Sequence, residues 1–392
     1  MDEATTRAMA TGPEHHVETE QKVTPLELFF DLVFVFAFTQ VTGMMAVEAS
    51  WASLGEGLLV LAAVWWAWAA YAWLTDEIGA DDGLARVAVF GSMAAMLVAA
   101  LAIPDAFGDD ALLFGLAYLV VRVMHIVVYA AAADSVELTG AIKAIAPTAV
   151  GAPLLLILAS AFDGGAQASI WLVALIIDYA GPQLRARSGW RVSPGHFAER
   201  FGLIMIIVLG ESIVAIGVGL ESVELGLGEV AAAVLGIAIV GGLWWSYFDV
   251  VAPVAEERLR EAEGDERTRL AQDGYAYLHL LLIAGVVLLA LGLKKTLGEV
   301  DVSLKTVPAV ALCGGAALYL VGHVLFRARM LGTLNRERML AAILCLALIP
   351  LATAVDALIA ELALAAVLVG LVAYEAIVFS EARRQVRGER HA

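Results

Sequence analysis

Charge is scarce in this 392-residue chain. Asp, Glu, Lys and Arg make up 17% of it against 61% apolar residues, and the mean hydropathy is +0.83. Soluble globular domains carry about a quarter charged residues, so a soluble enzyme is excluded. The two cysteines, Cys313 and Cys345, both lie inside apolar runs and supply neither a disulfide framework nor a thiol metal cluster. There is no His-Glu-x-x-His, no histidine pair at i and i+4 and no phosphate-binding glycine loop. Gly210-Glu-Ser212 lacks the flanking glycine of a nucleophile elbow and sits within an apolar run. No enzyme class, cofactor or metal site is therefore expected. Basic residues are also few, 24 against 41 acids for a net charge of -17, which argues against nucleic acid as a partner.

What is abundant is long apolar sequence. About twelve runs approach the roughly 20 residues needed to cross a bilayer, near Leu26-Val47, Leu54-Leu74, Ala85-Ile103, Ala111-Ala132, Ile145-Ala161, Ala168-Leu184, Phe201-Leu220, Val230-Val251, Tyr275-Leu293, Val307-Phe326, Met339-Val355 and Leu358-Phe379. The expected fold class is an all-α, polytopic membrane helical bundle whose first partner is the lipid bilayer. Residues 1–24 lack the basic start and apolar centre of a secretory signal and read as a disordered tail. Of the 24 Lys and Arg residues, 20 fall in the tails and the even-numbered loops, only Lys294, Lys295 and Lys305 in the odd ones, and Arg122 inside the fourth span. The positive-inside rule then places both termini in the cytoplasm.

The twelve spans divide into six and six. Span one opens Pro25-Leu-Glu27-Leu-Phe29-Phe30-Asp31 and span seven opens Pro194-Gly-His196-Phe-Ala-Glu199-Arg200-Phe201, an offset of 169. Trp65-Trp66 is answered by Trp244-Trp245 at an offset of 179, and Tyr118 with His125 by Tyr319 with His323. Asp178-Tyr179 is answered by Tyr374-Glu375. The offset grows only between spans, so one duplication explains all four matches. With an even number of spans per half, the repeats are parallel and related by an axis along the membrane normal. The expected organisation is a first repeat over 25–184, a cytoplasmic linker over 185–200, a second repeat over 201–380 with a cytoplasmic loop at 252–273, and a tail over 381–392. Pro147 and Pro153 in span five and Pro350 in span eleven predict broken helices at matching places.

An ionisable group inside a span costs a few kcal/mol on insertion scales, so each is a site candidate. Glu27 and Asp31, at i and i+4, share a helix face, and both ionise cheaply only with a proton, a cation or an arginine between them. In the repeat register Asp31 falls on Arg200, which predicts that the two pair. Glu211 lies three turns beyond Arg200 on the same stripe and is the foremost proton or cation candidate. Tyr118, Arg122 and His125 lie on one face of span four, and Arg122 needs an acid, Asp178 or Glu211. Glu375 and His323 complete the ionisable set, with Glu199 beside Arg200 as a charge partner. Trp65, Trp66, Trp244, Trp245 and Tyr319, with Tyr118, are expected to line a pathway. Asp249, Asp356 and His279 read as interfacial, and acids such as Asp76 and Glu77 as solvated loop charge.

The runs Val23-Thr-Pro-Leu-Glu-Leu-Phe-Phe-Asp-Leu-Val-Phe-Val-Phe-Ala-Phe-Thr-Gln40 and Glu199-Arg-Phe-Gly-Leu-Ile-Met-Ile-Ile-Val-Leu-Gly-Glu-Ser-Ile-Val-Ala215 closely resemble the bacterial low temperature requirement A family. That family consists of multi-pass membrane proteins linked by name to growth in the cold. The positions that match its motifs are Glu27, Phe30, Asp31, Glu199, Arg200, Gly210 and Glu211. Phe29-Phe30-Asp31-Leu-Val-Phe34 is also similar to the first helix of the lysosomal potassium-channel family, with Phe30 where that family has serine. The expected function is a proton-coupled or cation-coupled secondary transporter of a small ion or molecule. The alternatives are a cation channel and a non-transporting envelope or signalling protein whose buried ion pairs are structural.

Overall fold

The computed structural model describes residues 22–78, 83–185, 190–221 and 223–378. Residues 1–21 of the expected N-terminal tail, the whole tail 381–392 and residues 186–189 of the expected linker lie outside the described residues. Twelve helices follow in chain order: α1 Pro25–Glu48, α2 Trp51–Ile78, α3 Gly83–Ala102, α4 Ala111–Ala132, α5 Val136–Ala159, α6 Gly164–Arg185, α7 Pro194–Leu220, α8 Leu227–Glu261, α9 Gly264–Gly298, α10 Thr306–Leu331, α11 Arg336–Ala347 and α12 Ala357–Val378. Ten are long and apolar enough to cross a bilayer, and there is no strand among the described residues. The chain is therefore a multi-pass helical membrane protein. The two that fall short are α6, which carries Gln167, Asp178 and Gln183, and α11, whose 12 residues reach only about 18 Å of a roughly 30 Å core.

Local sequence explains where the key helices begin. Thr24 caps α1: its hydroxyl accepts from the Glu27 N–H at 3.3 Å, while the Glu27 carboxylate accepts from the Thr24 N–H at 2.8 Å, and Pro25 fills the first helical position. Asn335 caps α11 by accepting from the Arg338 N–H at 3.0 Å.

The expectation of broken helices at matching places is corrected. Pro147 and Pro153 do not break span five, because α5 runs unbroken through both. Pro350 does end a helix: α11 stops at Ala347 and a separate turn, Ile349–Ala352, follows, since proline has no N–H to donate to the preceding turn. The matching pair of broken helices is thus absent. Residues 252–273 are helical too, because α8 and α9 extend beyond the apolar runs and are joined at Ala262 and Glu263. Wider, π-helical turns interrupt α8 at Tyr247–Val251, α9 at Ala271–Leu278 and α10 at Val310–Gly314.

The core sits around α9, whose residues from Leu282 to Leu293 are all buried. Within lipid, helices associate by close packing and polar contacts rather than by exclusion of water. Glycine supplies the closeness between α9 and α10. A Cβ on Gly285 would lie 2.6 Å from the Tyr319 nitrogen, and one on Gly292 would lie 2.4 Å from the Leu312 Cα. Leu97, Leu101, Leu158, Ile176 and Val369 face outward on other helices, as lipid-facing positions require.

Candidate functional site

The first charged cluster joins the starts of α1 and α7 to the end of α2. Arg200 donates from Nη1 to Glu27 Oε1 at 2.7 Å and to Thr75 Oγ1 at 3.1 Å, and from Nη2 to Asp31 Oδ1 at 2.8 Å. The arginine expected between the two carboxylates is in place, and the Asp31–Arg200 pairing is as the register implied. Trp68 Nε1 also donates to Asp31 Oδ1, at 2.8 Å, and its ring lies 5.8 Å from the Arg200 guanidinium carbon. His196 bridges two acids, Asp76 through Nδ1 at 2.8 Å and Glu27 through Nε2 at 3.2 Å. All these charged side chains are buried.

A strap outside the spans sets the position of His196. The Ser193 N–H donates to Asp76 Oδ2 at 2.9 Å and the Arg191 N–H to Glu77 Oε2 at 2.9 Å. The exposed Arg191 guanidinium, 2.5 Å from Asp134, holds that carboxyl below the usual aspartate range. Asp76 is thus a buried member of the cluster rather than a solvated loop acid, because α2 continues four residues past its apolar run. Glu199 does not join. It is exposed and accepts only from the Val23 N–H, at 3.4 Å, since neighbours on a helix point about 100° apart and Arg200 faces inward.

A second cluster joins α4 and α6. Arg122 Nη2 donates to Asp178 Oδ1 at 2.7 Å, which identifies Asp178 rather than Glu211 as its acid. Tyr118 donates to the Ala63 carbonyl at 3.1 Å, and Trp66 stacks on Tyr179 with ring centroids 4.0 Å apart. Trp66, Arg122, His125, Tyr129 and Asp178 border a cavity of about 60 Å³, room for a few water molecules. Arg122 Nε and Nη1 and the Tyr129 hydroxyl have no hydrogen-bond partner among the described residues and bring hydrogen-bonding capacity to a mostly apolar cavity. Trp65 lies deeper, donating to the Ala276 carbonyl at 2.8 Å within the π-helical turn of α9.

The third cluster had only two of its members singled out. Glu375 of α12 receives a two-pronged contact from Arg338 of α11, Nε to Oε1 at 2.8 Å and Nη2 to Oε2 at 2.9 Å, and a further bond from Asn335 Nδ2 at 3.2 Å. Arg338 Nη1 also reaches His323 Nδ1 at 2.9 Å, and a guanidinium only donates, so that nitrogen accepts. Arg338 read as loop charge because the apolar run starts one residue later. The Asn335 cap was the signal that a helix begins before it. Tyr319 donates to the Leu243 carbonyl at 2.8 Å, as Tyr118 does to Ala63. Trp244 is 44% exposed and stacks on Phe248, so it faces away from the interior, and Trp245 is half-buried. Nor is His279 interfacial. It is fully buried, bonded to the Gly274 carbonyl at 3.0 Å and to the Tyr247 hydroxyl at 2.8 Å.

Glu211 stands apart from all three clusters. It is buried on α7 and accepts from the Thr39 hydroxyl of α1 at 2.5 Å, and it forms no ion pair with the described residues. Residues 22–373 match the family described as bacterial low temperature requirement A protein (LtrA). The uncharacterized protein RA0937 of Rhizobium meliloti (strain 1021) is 28% identical over 332 residues, which cover 80% of each chain. A multi-pass helical bundle matched to that family over nearly its whole length, this chain belongs to the bacterial low temperature requirement A family.

Proposed function

We propose that this membrane protein is a proton-coupled or cation-coupled secondary transporter of a small ion or molecule. Both termini are cytoplasmic, and two parallel six-helix repeats form the path. The observation that carries the reading is Glu211, a carboxyl buried on an apolar helix, held by a threonine hydroxyl and without an ion pair among the described residues, Lys294 acting on it only as a charge beyond contact. A carboxylate without a counter-charge is costly in a bilayer core, so such a group takes up a proton or a cation and releases it where water reaches it. Supporting it, the first cluster sets three acids, Glu27, Asp31 and Asp76, against Arg200 and His196. Even with His196 charged, that cluster has one negative charge to spare. The cavity of about 60 Å³ beside Arg122 and Asp178 has room for a small ion or a few waters next to unpartnered polar atoms.

The repeat is supported by contacts between equivalent positions. At the offset of 169, Glu27 corresponds to His196 and Asp31 to Arg200, and each of these pairs is in direct contact. Residues beside a two-fold axis meet their own equivalents in this way.

The test is dye-reported proton flux in proteoliposomes holding the purified protein, with and without an imposed potential and with a panel of cations. Coupled flux in the wild type that is lost in Glu211→Gln and Asp31→Asn supports the reading; full flux in Glu211→Gln refutes the role of that carboxyl. Uncoupled conductance marks a channel. A structural reading has one observation in its favour, the multiple bonds that hold Arg200, and it expects no flux and function retained when Asp31 and Arg200 are exchanged.

A further inference from the structure

One buried carboxyl has no hydrogen-bond or ion-pair partner among the described residues. Glu361, in the second turn of α12, is 0% exposed, and neither of its carboxyl oxygens has a hydrogen-bond partner. It faces a notch left by a glycine. A Cβ on Gly236 of α8 would lie 3.3 Å from Glu361 Oε1 and 2.8 Å from Ile216 Cδ1 of α7. The carboxyl is thus enclosed by α7, α8 and α12. Titratable side chains on the surrounding segments include Glu211 and Glu221 at α7, Glu229 of α8, Lys294 and Lys295 of α9, Cys313 of α10, Cys345 of α11 and Asp356 before α12. None of them bonds it or acts on it as a charge.

A metal ion needs several oxygen ligands, and this notch offers one carboxyl among apolar walls. A proton needs only the carboxyl. Ionising an isolated acid in such surroundings costs several kcal/mol, whereas the neutral acid bears burial far more easily.

The position of Glu361 gives that proton a use. Ile216, which marks its level on α7, lies five residues beyond Glu211 and sixteen beyond Arg200, about 8 Å and about 24 Å along the helix. The Arg200 cluster, Glu211 and Glu361 therefore form a ladder of carboxyl groups over most of a roughly 30 Å bilayer core. Ser212, beside Glu211 and one turn before Ile216, is buried with its hydroxyl unpartnered, and a hydroxyl both accepts and donates a proton. We infer that Glu361 carries an exchangeable proton and, through Ser212, links Glu211 to the end of the bundle away from the Arg200 cluster. The inference rests on the transporter reading and names the coupling ion as a proton.

Infrared difference spectroscopy of the full-length protein in lipid, titrated from about pH 5 to about pH 10, reads this group directly. The wild type is expected to show a carboxylic-acid carbonyl band that fades as pH rises and is missing from Glu361→Gln. In the same vesicles that variant is expected to lose at least about tenfold of the proton flux. A band that persists through the range means a permanently neutral acid, and no band sensitive to the substitution means an ionised one; either result overturns the inference. A titrating band with full flux in Glu361→Gln overturns its place in the path. Absence of flux in the wild type defeats the transporter reading by itself, because the band still reports on Glu361. Should Glu361→Gln not assemble, Gly236→Ala crowds the carboxyl without removing it and is expected to shift the same band; an unshifted band overturns the assignment.

Discussion

Replacing Arg200 by methionine isolates what a buried guanidinium does for this bundle. The side chain is fully buried and makes three hydrogen bonds, to Glu27 at 2.7 Å, Asp31 at 2.8 Å and Thr75 at 3.1 Å. Methionine keeps most of the length and the apolar contacts but removes the charge and every donor. Glu27 would keep His196 at 3.2 Å and the Thr24 N–H at 2.8 Å, whereas Asp31 would keep only Trp68 at 2.8 Å. The uncompensated charge thus falls on Asp31. Removing one partner of a buried pair costs about 3–5 kcal/mol, and a loss of about 4 kcal/mol is roughly a thousandfold in the folding equilibrium. Adding Asp31→Asn is expected to return most of that loss. The amide oxygen still accepts from Trp68, leaving a deficit of about 1–2 kcal/mol for the weaker hydrogen bonding. The assay is reversible unfolding of the purified protein in mixed micelles, followed by tryptophan fluorescence and helicity. Arg200→Met within about 1 kcal/mol of wild type, or a double variant no more stable than the single, would refute the reasoning.

Two further changes probe the rest of the packing. Gly292→Ala places a Cβ 2.4 Å from the Leu312 Cα, backbone that cannot swing aside, and is expected to cost about 1–3 kcal/mol in the same unfolding assay. Gly298→Ala, with open space at its Cβ, is the control and should stay within about 0.5 kcal/mol of wild type. Arg338→Lys keeps the charge but loses the two-pronged contact with Glu375 and the bond to His323. It is expected to destabilise by about 1–3 kcal/mol, and equal stability of the two proteins would show that the planar fork is dispensable.

What was legible in the sequence followed from periodicity, and what was hidden followed from the ends of helices. Glu27 and Asp31 share a face at i and i+4, and Arg200 occupies the position equivalent to Asp31, so their meeting could be read before any coordinates. Arg122 stood alone in an apolar run, so its need for an acid was also readable, and Asp178 meets it. Asp76 and Arg338 were hidden for a shared reason. Apolar runs end where the first charge appears, at Leu74 and Met339, but the helices continue to Ile78 and begin at Arg336. Those charges are stabilised by partners far away in the chain, His196 and Glu375, which no local pattern reveals. Glu199 and Trp244 were assigned inward because an inward neighbour flanked them, although two adjacent helical residues cannot face the same way. Glu361 fell within a few residues of an expected span end, where acids are common, and its isolation is a property of packing alone.

The pairing pattern itself separates groups that hold the bundle from groups free to exchange ions. Arg122 with Asp178 and Arg338 with Glu375 are neutral pairs, each joining two helices, and removing a proton from either leaves nothing to balance the charge that results. The cluster at Arg200 differs, because it sets the acids of α1, Glu27 and Asp31, against the bases of α7, His196 and Arg200, with Asp76 added to the same histidine. That third acid leaves the cluster one proton short of neutrality when both bases are charged, so its protonation can change without breaking the Arg200 contacts. Glu211 makes no ion pair with the described residues, Lys294 acting on it only as a charge beyond contact, and Glu361 has no hydrogen-bond partner among them. Under the proposed transporter function, proton movement would follow a line along α7, from the Asp76 and His196 pair past Glu211 to Glu361, with the two neutral pairs as fixed walls beside it. A substitution at Glu211 or Glu361, which make no ion pair with the described residues, should alter flux with little change in unfolding, and one in a neutral pair should do the reverse.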